Sequence, residues 1–386
     1  MAIKRLIMHL GITKTGTTSI QRTLFTNATL LEKNGFRYLT EWGESHKFYL
    51  EYLFSPNPAD IVKKNKFFGL NISTEKILQN KVNEAIETIQ KIMNTTECET
   101  LIISGEYWWD LYIDATCINI QNFLKKYFQS KGIETIIILF IRNPLTWIIT
   151  ELQNLIYSGR GLLNRRIDMY DTKIMGLKGI VNLKKYFPDY LKVLKFEDVI
   201  NDKDGLVGCF LKNIGFPEDE IQNINMLKTN EARCMEVMEL INYIANIEPS
   251  IPFDKEQSMN KNRHLDDFKP LAIIKGAKFD IAYQTKMELW ERFKKTIQLF
   301  KEKFDIDYSD YQIIPLPEQE IYSEETIQGF IEVFPKLNHI IQRLFLQFFE
   351  NKYLETAQVK FKRLYFEDSI PWKLYVMPEE KVIHGN

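Results

Sequence analysis

The chain has 386 residues, 45% of them hydrophobic and 26% charged. That balance is of a globular protein long enough for one large α/β domain with an extension, or for two domains. A formal net charge of −1 excludes a global field that would draw it to nucleic acid or an anionic membrane, and leaves room only for local basic sites. Cys98, Cys117, Cys209 and Cys234 lie far apart with no CxxC pair, which excludes a metal spacing among them and reads as free thiols in a reducing compartment.

Lys4 and Arg5 precede an apolar run, Leu6 to Leu10, that is too short for a signal-peptide core and has no cleavage site. It reads as a first strand at 5–10. Longer apolar stretches are broken by charge before the ~20 residues a membrane span needs. The expectation is a cytoplasmic protein without a transmembrane segment. The strand runs into Gly11-Ile12-Thr13-Lys14-Thr15-Gly16-Thr17-Thr18-Ser19, and a helix is predicted over 18–33. A strand-loop-helix junction of this kind aims backbone N–H groups and a helix N-terminus at one point, which suits an anion. Gly16 permits close backbone approach and Lys14 adds a point charge. The lysine precedes the second glycine, whereas in a Walker A loop it follows.

Further strands are predicted at 36–39, 100–104, 135–141 and 193–196, with helices at 82–93, 118–131, 144–157, 181–187 and 206–214. Apolar β-branched runs alternating with amphipathic helices imply a three-layer α/β/α fold around a parallel sheet. Ligands of such sheets bind beyond the C-terminal strand ends. After Phe216-Pro217 the pattern turns helical, with helices predicted at 232–247 and 285–304 and a loop-rich stretch at 249–278. Pro315-Leu316-Pro317 is the clearest linker. It divides a P-loop-like domain, 1–314, from a helical C-terminal extension, 315–386, whose helix at 325–350 Pro335 breaks or kinks. The aromatic stretch 342–365 reads as a surface that docks on a core, dimerises or meets a membrane-bound partner.

The strand at 135–141 ends at Arg142, and Asn143-Pro144 open the next helix with a capping residue and a favourable first-turn proline. Thr146, Thr150, Gln153 and Asn154 share that helix's polar face. Arg142 is suited to bidentate phosphate binding.

These two motifs resemble sulfotransferases that use 3′-phosphoadenosine 5′-phosphosulfate (PAPS). Lys14, Thr15, Gly16, Thr17, Thr18 and Ser19 match the 5′-phosphosulfate loop. Arg142, with Thr150 eight residues on, matches an Arg/Ser pair that binds the 3′-phosphate; threonine keeps the hydroxyl and adds a methyl group. Ser104-Gly105-Glu106 resembles the Ser-Ser-Glu strand end of bacterial carbohydrate sulfotransferases, Phe196-Glu197-Asp198 a later strand end of the superfamily, and Asn230-Glu231 a segment after the cofactor-covering lobe. The resemblance spans about residues 4–310. It implies PAPS as donor, PAP as product, no required metal, and a glycan or glycolipid acceptor.

Transfer to an alcohol needs a base for its proton. His46, in Ser45-His46-Lys47, matches an Asn/Ser-His element of bacterial relatives, and imidazole has a suitable ordinary pKa of about 6.5. Glu106 is the other candidate. The sequence favours His46 as base and Glu106 as the group that positions the acceptor, with Glu44 a third possibility. Lys14 is placed by its motif at the departing phosphate. His9 reads as a core residue, and His264 and His384 have no partner spacing. Trp108-Trp109 read as core plugs or a sugar platform. Two other readings stand beside the sulfotransferase. One is a Mg²⁺-dependent P-loop kinase or NTPase, in which Glu106 or Glu197 would hold the metal. The other is a non-catalytic PAP-binding scaffold.

Overall fold

Five apolar runs align as one parallel sheet in the order β2-β3-β1-β4-β5. They are β1 (Arg5–His9), β2 (Phe36–Tyr38), β3 (Thr100–Ser104), β4 (Glu134–Ile141) and β5 (Leu191–Lys195). β1 is central, with His9 level with Ser104 of β3 on one side and Ile138 of β4 on the other. The computed structural model describes residues 2–67, 71–107, 111–157, 171–227, 233–247, 265–315 and 322–355.

Both faces of the three central strands are dry, so β1, β3 and β4 carry continuous apolar runs, while the edge strands β2 and β5 include Arg37, Lys192 and Lys195. Ile7, Ile102, Ile138 and Phe140 form one cluster with Ile20 and Leu24 of the helix Thr17–Thr26 and with Val207, Phe210 and Leu211 of the helix Gly205–Asn213. On the opposite face Leu6, Met8, Leu101, Ile103, Ile137 and Leu139 are equally buried. The expected α/β sheet with helices on both sides is what forms. β1 leads toward β2, and β3 crosses over to β4. The connections therefore diverge between the adjacent C-terminal ends of β1 and β3, where such sheets open a crevice.

Several elements differ from the sequence reading. The helix expected over 18–33 is two helices, Thr17–Thr26 and Ala28–Lys33. The break falls at Asn27, whose amide donates to the Asn225 carbonyl and accepts from the Asn225 N–H. The helix expected at 82–93 runs from Glu75 to Thr95, because Thr74 caps a polar first half that carries little apolar signal. A helix Pro58–Phe67 had no counterpart in the sequence reading. At Phe196 the expected strand end is instead the start of a short helix, Phe196–Ile200, with Glu197 and Asp198 in its first turn. Pro335 does interrupt the helix expected at 325–350, giving Glu324–Val333, a tight turn, and His339–Glu355.

The chain forms two compact units that are interleaved in sequence. The first comprises Met1–Trp147, Ile167–Thr229 and Trp290–Tyr311 and contains the sheet. The second comprises Ile148–Arg166, Asn230–Leu289 and Gln312–Asn386, so the segment expected as an extension groups with earlier parts of the chain. Its core includes the helix Met235–Ile247 and an aromatic cluster of Tyr322, Phe330, Phe345 and Phe349. Within it Lys286 is buried, paired with Asp280 and donating to the Ile314 carbonyl. Among the described residues no helix is long and apolar enough to cross a membrane. Cys98, Cys117 and Cys234 are buried, and no disulfide joins the four cysteines.

Candidate active site

The loop after β1 is shaped by three residues at positive φ, Gly11 at +108°, Lys14 at +62° and Gly16 at +74°. A Cβ on Gly16 would also fall 1.9 Å from Leu206 Cδ2, so a side chain there would be strained and would have to displace Leu206. The first intrahelical bond runs from the Ile20 N–H to the Gly16 carbonyl, 3.1 Å. The N–H groups of Thr17, Thr18 and Ser19 therefore precede the helical ladder. No side chain caps this N-terminus, and its first turn holds no acidic residue. The end of a ten-residue helix thus keeps its positive pole toward the crevice. Thr15 is fully buried, and its hydroxyl donates 2.6 Å to the Ile12 carbonyl, closing the loop.

Donors from the β4 side hold the back of this loop. Trp147 Nε1 donates to the Thr13 carbonyl at 2.9 Å, and Arg142 Nη1 donates to the Lys14 carbonyl at 3.0 Å. In a trans peptide the N–H opposes its C=O. Drawing those carbonyls backward turns the N–H groups of Lys14 and Thr15 the other way.

Arg142 is fixed from several directions. Its Nε donates to Thr146 Oγ1 at 3.2 Å, and its guanidinium lies 5.2 Å from the centre of the Phe196 ring. Burial pushes the guanidinium below its ordinary pKa, and the nearby Glu197 carboxylate opposes that shift. Glu197 accepts from the Asn143 N–H at 2.9 Å, and the Tyr308 hydroxyl lies 2.8 Å from its other oxygen and 3.0 Å from the Ile141 carbonyl. Asn143 caps the helix Pro144–Tyr157 by accepting from the Leu145 N–H. Thr150 is half-buried two turns along that helix.

The end of β3 approaches the same loop. The Thr17 hydroxyl donates to Glu106, which is half-buried. This bond joins the first turn after the β1 loop to the neighbouring strand end. His46 is placed otherwise. It is wholly buried, stacked on Tyr38 with ring centres 4.6 Å apart, and its Nδ1 accepts from the Ser104 N–H at 3.0 Å. Burial lowers its pKa to about 3, with the Gly43 and Leu39 carbonyls acting in the opposite direction. Glu44 pairs with Arg22 at 2.8 Å on the surface. His9 is the core residue its strand position suggests: it is fully buried, with Nδ1 2.8 Å from Ser104 Oγ.

The structure thus brings Lys14, Thr15, Gly16, Thr17, Arg142 and Glu106 to one end of the sheet and sets His46 behind it. Trp108-Trp109, Asn230-Glu231, His264 and His384 lie outside the described residues. Sequence reasoning missed Trp147 and Tyr308, and named Thr146 only as part of the helix's polar face. Trp147 gave a faint signal as the aromatic just beyond the Arg-Asn-Pro turn; Tyr308 gave none, since it arrives from 166 residues beyond Arg142.

No protein-family model and no curated protein matches the chain. Two solved structures of retinol dehydratase align with it, one with androsterone and the inactive cofactor PAP, the other with retinol and PAP. Each covers 80% of this chain and 84% of its own at 14% identity, with TM-scores of 0.33 and 0.29. At those values the likeness carries no weight, and function rests on the residues themselves.

Proposed function

We propose that this chain is a sulfotransferase that moves a sulfuryl group from PAPS to a hydroxyl of a carbohydrate-containing acceptor. The observation that carries this reading is the bond from Arg142 to the Lys14 carbonyl. It joins the two motifs whose counterparts bind the two phosphates of PAPS. The donor set suits a nucleotide with two anionic groups: an uncapped helix N-terminus without first-turn acids, a lysine on the loop, and a guanidinium held rigidly beside it. The loop N–H groups, Lys14, Thr17, Thr18 and Ser19 would hold the 5′-phosphosulfate; Arg142 and Thr150 would hold the 3′-phosphate.

PAPS supplies an activated sulfuryl group. Lys14 stabilises the charge that develops on the leaving phosphate. We assign the base to Glu106 in place of His46. The Glu106 carboxylate is half-buried at the mouth of the crevice, where it can take the acceptor's proton as the new S–O bond forms. The His46 ring is enclosed, and its Nδ1 lone pair is already engaged. The carbohydrate class of acceptor rests on the resemblance of Ser104-Gly105-Glu106.

One contact favours a second reading. A hydroxyl just after the loop glycine, bonded to a carboxylate at the next strand end, is also how a P-loop kinase or NTPase arranges its Mg²⁺ ligands. Calorimetric titration in EDTA separates the two. The sulfotransferase predicts micromolar binding of PAP with 5′-AMP and ADP much weaker. Binding of ATP only with Mg²⁺ would discard it for the kinase.

A further inference from the structure

The end of β3 is held more tightly than its length requires, and the holding group is His46. The His46 N–H donates to the Ser104 carbonyl at 3.0 Å, and the Ser104 N–H donates back to His46 Nδ1, also at 3.0 Å. One residue therefore satisfies both main-chain groups of Ser104. Its ring nitrogen stands where a neighbouring strand would place a carbonyl. The same serine is fixed by its side chain to His9, and the Gly105 N–H donates to the His9 carbonyl at 2.9 Å. Gly105 lies so close to this segment that a Cβ would fall 2.8 Å from the Lys47 nitrogen and 3.0 Å from the His46 carbonyl carbon. The His46 ring cannot swing away, because Tyr38 stacks on one side and Trp42 meets it edge-on at 5.6 Å. Glu106 follows directly, its carboxylate bonded to Thr17.

We infer that His46 is a positioning residue: through Ser104 it fixes the strand end that sets the Glu106 carboxylate against the phosphate loop. The inference rests on the assignment of Glu106 as base. An N–H can only donate, so the Nδ1 that accepts from Ser104 carries no proton and the ring holds its proton on Nε2. Asparagine can present an oxygen near the Nδ1 position and keep the bond, whereas alanine and leucine cannot. A misplacement of about 1 Å at a reacting group costs on the order of 100-fold in rate.

The test compares His46→Asn, His46→Leu and Glu106→Gln in the full-length chain. Two readouts are taken: ¹⁵N NMR of the His46 ring between pH 5 and 8, and single-turnover transfer from ³⁵S-labelled PAPS to a panel of methyl glycosides. The expected result is an Nε2–H tautomer throughout that range. His46→Leu should lose about 100-fold in rate with PAP affinity within about twofold, and His46→Asn should recover most of the loss. A protonated Nδ1, or a His46→Leu rate equal to wild type, overturns the inference. So does a His46→Asn variant as slow as His46→Leu. Glu106→Gln at the wild-type rate, alongside a slow His46→Leu, removes the base assignment and with it the role given to His46. Should the wild-type chain fail to bind PAP, the donor reading falls, and the tautomer alone decides whether the clamp exists.

Discussion

The two strand ends that flank β1 are built in opposite ways. At the end of β4, Arg142 is held by Thr146 of its own turn, by the Lys14 carbonyl and by the Phe196 ring, and Asn143 caps the helix that carries Thr146. At the end of β3, Glu106 is held by residues from two other parts of the chain, Thr17 through its hydroxyl and His46 through Ser104. The first carries its candidate anion-binding residues in one short stretch, Arg142 to Thr150. The second exists only once the sheet has formed and a distant loop has folded over its end. A donor site common to many acceptors can be written in a short motif, whereas the placement of a base depends on tertiary packing.

Removing the charge on the loop after β1 and the charge at the β3 end gives the sharpest contrast. Lys14→Ala is expected to abolish transfer and to weaken PAP binding. Glu106→Gln is expected to lower single-turnover rate by about 10²–10⁴-fold while PAP affinity, read by calorimetry, stays near wild type. Equal loss of affinity in both variants would erase the division between donor binding and placement of the base.

A smaller effect marks the β3 end alone. His9 and His46 each have a folded-state pKa of about 3 because burial disfavours the imidazolium. Unfolded, each takes up a proton near the ordinary value of about 6.5. Between those values the unfolded state binds more protons, so stability rises with pH and falls on acidification. Both histidines together predict a loss of roughly 2–3 kcal/mol per pH unit between about pH 6 and pH 4, with no contribution above about pH 7. Urea melts across that range measure the slope, and His46→Asn should reduce it by about half. An unchanged slope in that variant would show that His46 is not buried as neutral imidazole.

The same contrast explains what the sequence made legible. The β1 run, the Lys14–Ser19 loop, the helix starting at Pro144 and the Arg142–Thr150 spacing all follow from local pattern, and the parallel sheet follows from apolar runs that alternate with helices. The burial of His46 does not, because Ser45-His46-Lys47 is polar in sequence and the rings of Tyr38 and Trp42 enclose the imidazole only in the folded chain. The break at Asn27 was hidden for a similar reason: its side chain serves Asn225, far along the chain. The interleaved units were equally hidden, since a proline-rich linker marks where a chain bends and not which distant segments pack together.

The central claim is that Arg142 reads a 3′-phosphate beside the Lys14 loop. Calorimetric titration of wild type and Arg142→Ala with PAP and with 5′-AMP tests it most directly. The account predicts that the substitution weakens PAP by about 10–100-fold, the worth of one or two charge-assisted hydrogen bonds, and weakens 5′-AMP far less. Equal loss for both nucleotides would contradict it.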